Sequence, residues 1–206
     1  MKKIFLLGLV CLLTAMPALA EDHSHHHPTS LQGEKPTGKS LYWLGGQWKT
    51  HQNQKLELKS LKGKPVVLAM LYTSCKAVCP LILEDVKAIE KGLASADRAK
   101  TQFVIVSFDP ERDTPSVLAD YAQKHGIRAS NWKFLHGTSK HVSELGALLG
   151  VRFQPNAQGD FIHSNQITLL NVEGEVAYQR PDLKEPLTII LEKLKANLPV
   201  SHPHQH

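Results

Sequence analysis

A continuous apolar run from Val66 to Tyr72 is followed, three residues on, by Cys75-Lys76-Ala77-Val78-Cys79-Pro80. Ile82, Val86, Ile89 and Leu93 then recur at helical spacing. An unbroken apolar run bounded by Gly63-Lys64-Pro65 reads as a strand buried on both faces of a sheet. Pro80 fits the first helical position, which makes Cys79 the N-cap. A strand that turns directly into a helix, with two cysteines in the turn, places those cysteines at the carboxyl end of a central strand. Ligands of open α/β sheets sit at that end.

The remaining pattern completes this frame. Phe103 to Phe108 (FVIVSF) is a second buried strand, and the stretch between the two has the length of a helical crossover, giving a βαβ unit. Thr114-Pro115 caps a helix carrying Val117, Leu118 and Tyr121. A short apolar piece follows at Trp132 to Leu135, then a helix through Val142, Leu145 and Leu149 that Gly150 ends. The last part reads as Ile167 to Val172, a turn at Glu173-Gly174, Val176 to Gln179, and a helix with Leu187, Ile190, Leu191, Leu194 and Leu198 on one stripe. A βαβ unit joined through a helical segment to a ββα unit is the thioredoxin arrangement. The expected fold is α/β and thioredoxin-like, a central mixed sheet flanked by helices, with an N-terminal hairpin extension between Tyr42 and Leu58 around Gly45-Gly46.

The ends differ in kind. Lys2-Lys3, an apolar run from Ile4 to Leu13, Pro17 and Ala18-Leu19-Ala20 read as a secretory signal peptide cut after Ala20. That run is shorter than the roughly 20 residues of a membrane span; an uncleaved inner-membrane anchor is the alternative. Residues 21–40, with His23, His25, His26 and His27, and residues 199–206, with His202, His204 and His206, lack apolar periodicity and read as disordered tails suited to loose metal capture. Residues 41–198 then form one domain. The expected location is the periplasm, in soluble form. The net charge of +5 falls to +3 once Lys2 and Lys3 are removed, and the remaining charges are interspersed, so no nucleic-acid role is supported.

With Cys11 in the leader, only Cys75 and Cys79 remain. In an exported protein paired thiols tend to oxidise, yet a disulfide closing so short a loop would add little stability. Cysteines four apart at a helix start bring their Cβ atoms to about 5–6 Å, within reach of one metal ion. The helix N-terminus and Lys76 both favour thiolate. Thiolate serves a soft metal and a redox nucleophile equally, so metal transfer and dithiol–disulfide chemistry both stay open. Thiolates with one imidazole suit copper, whereas a closed zinc site wants four protein ligands.

Tyr72-Thr73-Ser74-Cys75-Lys76-Ala77-Val78-Cys79-Pro80, the loop Asp109-Pro110-Glu111-Arg112-Asp113-Thr114-Pro115 and the later His163-Ser164 stand in the order of the SCO/SenC copper proteins. From about residue 41 to 197 the chain resembles that family. The resemblance implies a thioredoxin fold, one copper ion, as copper(I) or copper(II), held by Cys75, Cys79 and His163, and a metallochaperone role in maturing the dinuclear copper centre of cytochrome c oxidase. The partners it implies are the copper-bearing subunit of that oxidase or another copper client, and other periplasmic copper or thiol-redox proteins, met by a monomer. Lys76 stands where the family usually has Pro, and Ile162 where it usually has Asp.

The alternative is a thiol–disulfide oxidoreductase using Cys75 and Cys79. Against it stand the three-residue gap, the lack of Trp before Cys75, and the lack of a proline between Phe161 and Ile167, where thioredoxin-like reductases hold a cis-proline. A peroxidase is weaker still, since Leu68 and Tyr72 occupy the positions where a peroxiredoxin needs Pro and Thr or Ser. On its residues alone His163 reads as a packed histidine. The Asp109 to Pro115 loop reads as turn chemistry and a helix cap, with Arg112 and Asp113 ordering each other at the rim of the site and neither Asp109 nor Asp113 a ligand. His51, His125, His136 and His141 read as surface or packing residues.

Overall fold

The computed structural model describes residues 40–199. The leader, most of the histidine-rich segment and nearly all of the C-terminal tail lie outside the described residues.

Seven strands form one mixed sheet in the order β2-β1-β5-β4-β3-β8-β9. At its centre β3 (Val66–Leu71) runs parallel to β4 (Gln102–Ser107), which runs parallel to β5 (Trp132–His136). Every residue of β3 is buried. Its Val and Leu side chains each contribute about 1.5–3 kcal/mol by leaving water, which is why the run could hold no polar residue. β8 (Ile167–Leu170) and β9 (Val176–Arg180) add antiparallel on the β3 side. On the opposite edge, β1 (Trp48–Thr50) pairs antiparallel with β5 and with β2 (Lys55–Leu56). This is the expected hairpin extension, but it turns at residues 51–54, where Asn53 takes a positive φ of 58°. Of Gly45-Gly46, the second serves packing instead: a Cβ on Gly46 would sit 2.8 Å from the His141 ring.

The helices flank this sheet as the patterning requires. α1 (Cys79–Lys91) buries Ile82, Leu83, Val86 and Ile89 and packs against β3 and against α5 (Leu187–Ala196), which buries Ile190 and Leu194. Arg180, almost wholly buried, ties β9 to α1 through a 2.7 Å ion pair with Asp85 and donates to the carbonyls of Leu183 and Glu185. A short helix, α2 (Ser95–Ala99), completes the crossover to β4. α3 (Pro115–Lys124) begins as read, with the Thr114 side chain accepting from Val117 N–H, and α4 (Ser139–Leu149) ends at Gly150 in the left-handed conformation. One boundary shifts. Ile82 N–H already bonds to Val78 C=O, so Val78 is the cap, Cys79 is the first helical residue and Pro80 the second.

Candidate metal centre

The cysteine turn is held from below. Beyond β3 the chain passes through Thr73, whose N–H donates to the Asp113 carboxylate at 2.9 Å and whose hydroxyl donates to the other oxygen of that group. Ser107, at the end of β4, donates to the same carboxylate at 2.6 Å and accepts from Asp109 N–H. Asp113 is fully buried. A carboxylate there is tolerable because three donors satisfy it, and in return it fastens the loops after β3 and β4 to each other. Arg112 does not pair with Asp113, as the sequence suggested. It pairs with Asp109, and its guanidinium lies 5.8 Å from the Tyr72 ring centre and 5.7 Å from that of Phe161. The flexible Arg112 side chain reaches the exposed rim while Asp113 points into the core.

Above that clamp the two thiols face different surroundings. Cys75 is half-buried, Cys79 completely buried, and both are free. Burial pulls the Cys75 pKa up, but the backbone N–H groups of Cys79, Ala77 and Val78 outweigh it and leave the thiol below its ordinary value. The Cys79 N–H lies 3.5 Å from the Cys75 sulfur. The lowering thus comes chiefly from the helix start rather than from Lys76. Cys79 goes the other way: burial pushes its thiol well up, and a neighbouring Cys75 thiolate pushes further.

His163 arrives on an element the sequence did not disclose. β6 (Phe153–Pro155) and β7 (Phe161–His163) form a separate two-stranded sheet. Asn156 organises the turn between them by accepting from the N–H groups of Gln158 and Asp160. The hairpin rests on an aromatic cluster in which Phe108 stacks on Phe153 and meets Phe161 edge-on. The Tyr72 hydroxyl joins it to the cysteine loop, donating to Asp160 Oδ1 at 3.3 Å and accepting from Phe161 N–H at 3.4 Å.

His163 Nδ1 lies 3.0 Å from the Ser164 carbonyl, so it carries the proton and donates. Nε2 is then a bare lone pair, and it lies 3.6 Å from Cys79 Sγ. Burial lowers the pKa of the ring below its usual value, which keeps that lone pair free. One donor atom from each of Cys75, Cys79 and His163 lies within 4.8 Å of the others. Bonds of roughly 2.3 Å to sulfur and 2.0 Å to nitrogen at an angle near 110–120° put two such ligands about 3.5–3.7 Å apart. The sulfur-to-nitrogen distance therefore fits a shared ion.

Among the described residues this is the one group of three or more such side chains close enough to hold a metal. Asp109 and Asp113 stay outside it. The other histidines pack: His51 Nδ1 accepts from Phe134 N–H, His136 Nδ1 lies 3.0 Å from the Asp113 carbonyl, His125 sits on Tyr121, and His141 lies against Trp48. The supports that sequence reading missed are Thr73, Ser107 and Tyr72. Their one advance signal was a hydroxyl at or just beyond the end of each of the two buried strands.

The SCO1/SenC family pattern matches residues 43–198. The chain belongs to the SCO1/SenC family. The SCO1 protein homolog of Bacillus subtilis is 29% identical over 133 residues, 62% of this chain and 68% of the relative. The structure of a SCO1/SenC family lipoprotein from Bacillus anthracis superposes with a TM-score of 0.69 at 25% identity, over 80% of this chain and 98% of that one. Bradyrhizobium japonicum ScoI, solved with copper bound, superposes at 0.59 and 25% identity, over 74% of this chain and 97% of that one. As in its SCO1/SenC relatives, the fold of this family member is thioredoxin-like. No helix among its described residues is long and apolar enough to cross a membrane.

Proposed function

We propose that this SCO1/SenC protein binds one copper ion through Cys75, Cys79 and His163 and delivers it to a copper client. The reading rests above all on the convergence of two sulfurs and a bare imidazole nitrogen within 4.8 Å. Two thiolates and an imidazole form a soft donor set that suits copper, and the copper-bound Bradyrhizobium relative supports the same choice. Copper(I) is served by the thiolate pair; copper(II) needs the imidazole as well. Family membership supports the copper-bearing subunit of cytochrome c oxidase as the client. The leader-like first twenty residues support cleavage after Ala20 and a periplasmic site of action, with residues 41–198 as the working domain and the histidine-rich ends as loose collectors of metal.

A second reading is favoured by one observation. Cys75 is accessible with a lowered pKa while Cys79 is buried with a raised one, the division of labour of an attacking and a resolving thiol in disulfide exchange. Mixing the copper-loaded, reduced protein with the metal-free soluble copper domain of an oxidase subunit separates the two. Appearance of the client's copper absorption with loss of copper from this chain supports delivery. Reduction of a client disulfide with no movement of copper supports the oxidoreductase.

A further inference from the structure

In the β6–β7 hairpin the hydrogen-bonded pairs alternate. Ser164 N–H donates to Arg152 C=O at 2.9 Å, and Asn156 N–H to Asp160 C=O at 2.7 Å. Phe153 stands opposite His163, and Pro155 opposite Phe161. That alternation turns the backbone of Phe161 and His163 away from β6. The Phe161 N–H is taken by the Tyr72 hydroxyl, which shows that this outer edge faces the cysteine loop. The Phe161 C=O and the His163 N–H and C=O have no partner among the described residues.

A groove of about 720 Å³ runs between that edge and residues 74–78, with Cys75 and His163 both in its wall. Two further groups lack partners there. Asn165 Oδ1 is buried with no hydrogen bond, and Lys76, exposed beside Cys75, joins none of the ion pairs of the described residues. A donor and two acceptors along one strand edge match the backbone of a second strand, and an open edge is a template for one.

We propose that this groove binds an extended segment of the copper-exchange partner as an added strand on β7, with a cysteine at its centre and an acidic residue beside Lys76. The proposal rests on the copper reading above. Strand pairing at about 4.8 Å fixes the register, and the two-residue side-chain period then sets alternate side chains of the guest on the same side, so that one of them can face the wall that holds Cys75 and His163. Cysteine is the guest side chain whose donor matches the thiolates already there. The Lys76 ammonium selects the acidic neighbour and orients the encounter.

The test uses the full chain, reduced and free of metal, followed by amide NMR. The probe is a blocked octapeptide of alternating threonine and valine, with a central serine in place of cysteine and one glutamate, so that neither metal nor disulfide chemistry contributes. Binding at millimolar concentration or tighter, with shifts and slowed exchange at the His163 amide, is expected. N-methylation of alternate peptide amides should weaken it at least about tenfold, because backbone donors are removed. Replacing the glutamate by lysine should weaken it about 2–5-fold, and Lys76→Glu should reverse that preference. No binding, equal binding of the N-methylated peptide, or shifts confined outside residues 74–78 and 161–165 would overturn the added strand. An unchanged charge preference in Lys76→Glu would overturn the acidic neighbour. Copper titration of the same sample scores the copper reading separately.

Discussion

The two thiols and the imidazole reach the same point with different kinds of support. The cysteine loop grows directly out of the fully buried β3 and is fastened by the three donors on Asp113, so the positions of Cys75 and Cys79 are consequences of the core. The His163 hairpin lies outside the main sheet. Ring stacking and the bonds of the Tyr72 hydroxyl attach it. If the three residues are the ligands proposed above, a centre built this way keeps two of them fixed and brings the third on a lighter support. That suits an ion whose two oxidation states want different numbers of ligands.

The largest effect should come from breaking the fixed half. Asp113→Ala leaves the Thr73 and Ser107 donors buried without partners, at about 1–3 kcal/mol each. Chemical denaturation should show a loss of about 3 kcal/mol or more, accompanied by weaker binding of copper in both oxidation states. A stable Asp113→Ala protein with full copper binding would remove the clamp from the account.

Next comes the lighter half. In His163→Ala the thiolates remain, so copper(I) binding should change little, while copper(II) affinity should fall at least about 10–100-fold, the scale of losses from even the outer supports of a metal site. Visible absorption and competition titrations measure both. If His163 were only a packed side chain, the same variant would lose thermal stability and keep its copper(II) spectrum.

The smallest effect isolates the link between the halves. Tyr72→Phe keeps the ring and removes the hydroxyl that holds Asp160 and Phe161 N–H. Stability should fall by about 1 kcal/mol, and copper(II) affinity should fall several-fold while copper(I) affinity holds. Equal losses for both states would mean that Tyr72 supports the cysteine loop rather than the hairpin.

Periodicity explains why so much of the frame was readable beforehand. Val66 to Tyr72 and Phe103 to Val106 are continuous apolar runs because both faces of those strands are covered, and Thr114-Pro115 and Gly150 mark helix ends by local chemistry. β6 and β7 were not readable. Each has three residues, none of them fully buried, so no apolar pattern separates them from loop. The site divided in the same way. Cys75 and Cys79 announce themselves by spacing at a helix start, whereas His163 stood out only through family resemblance. The partners of Asp113 depend on contacts across 40 residues of chain, as between Thr73 and Asp113, and no short window records them. Adjacency in sequence suggests the pair Arg112 and Asp113, but side chains of neighbouring residues point apart, and the aspartate in reach is Asp109, three residues earlier; burial, which sequence does not print, sends Asp113 inward.

The central claim, that Cys75, Cys79 and His163 hold one copper ion, is tested most directly by titrating copper(II) into the reduced protein and into protein oxidised to the Cys75–Cys79 disulfide, following visible absorption. A disulfide sulfur offers no thiolate. The reduced protein should take up one tightly bound ion per chain with intense sulfur-to-copper charge-transfer bands, and the oxidised protein should show neither. Equal affinity in the two samples, or uptake by the reduced protein without those bands, would contradict the assignment.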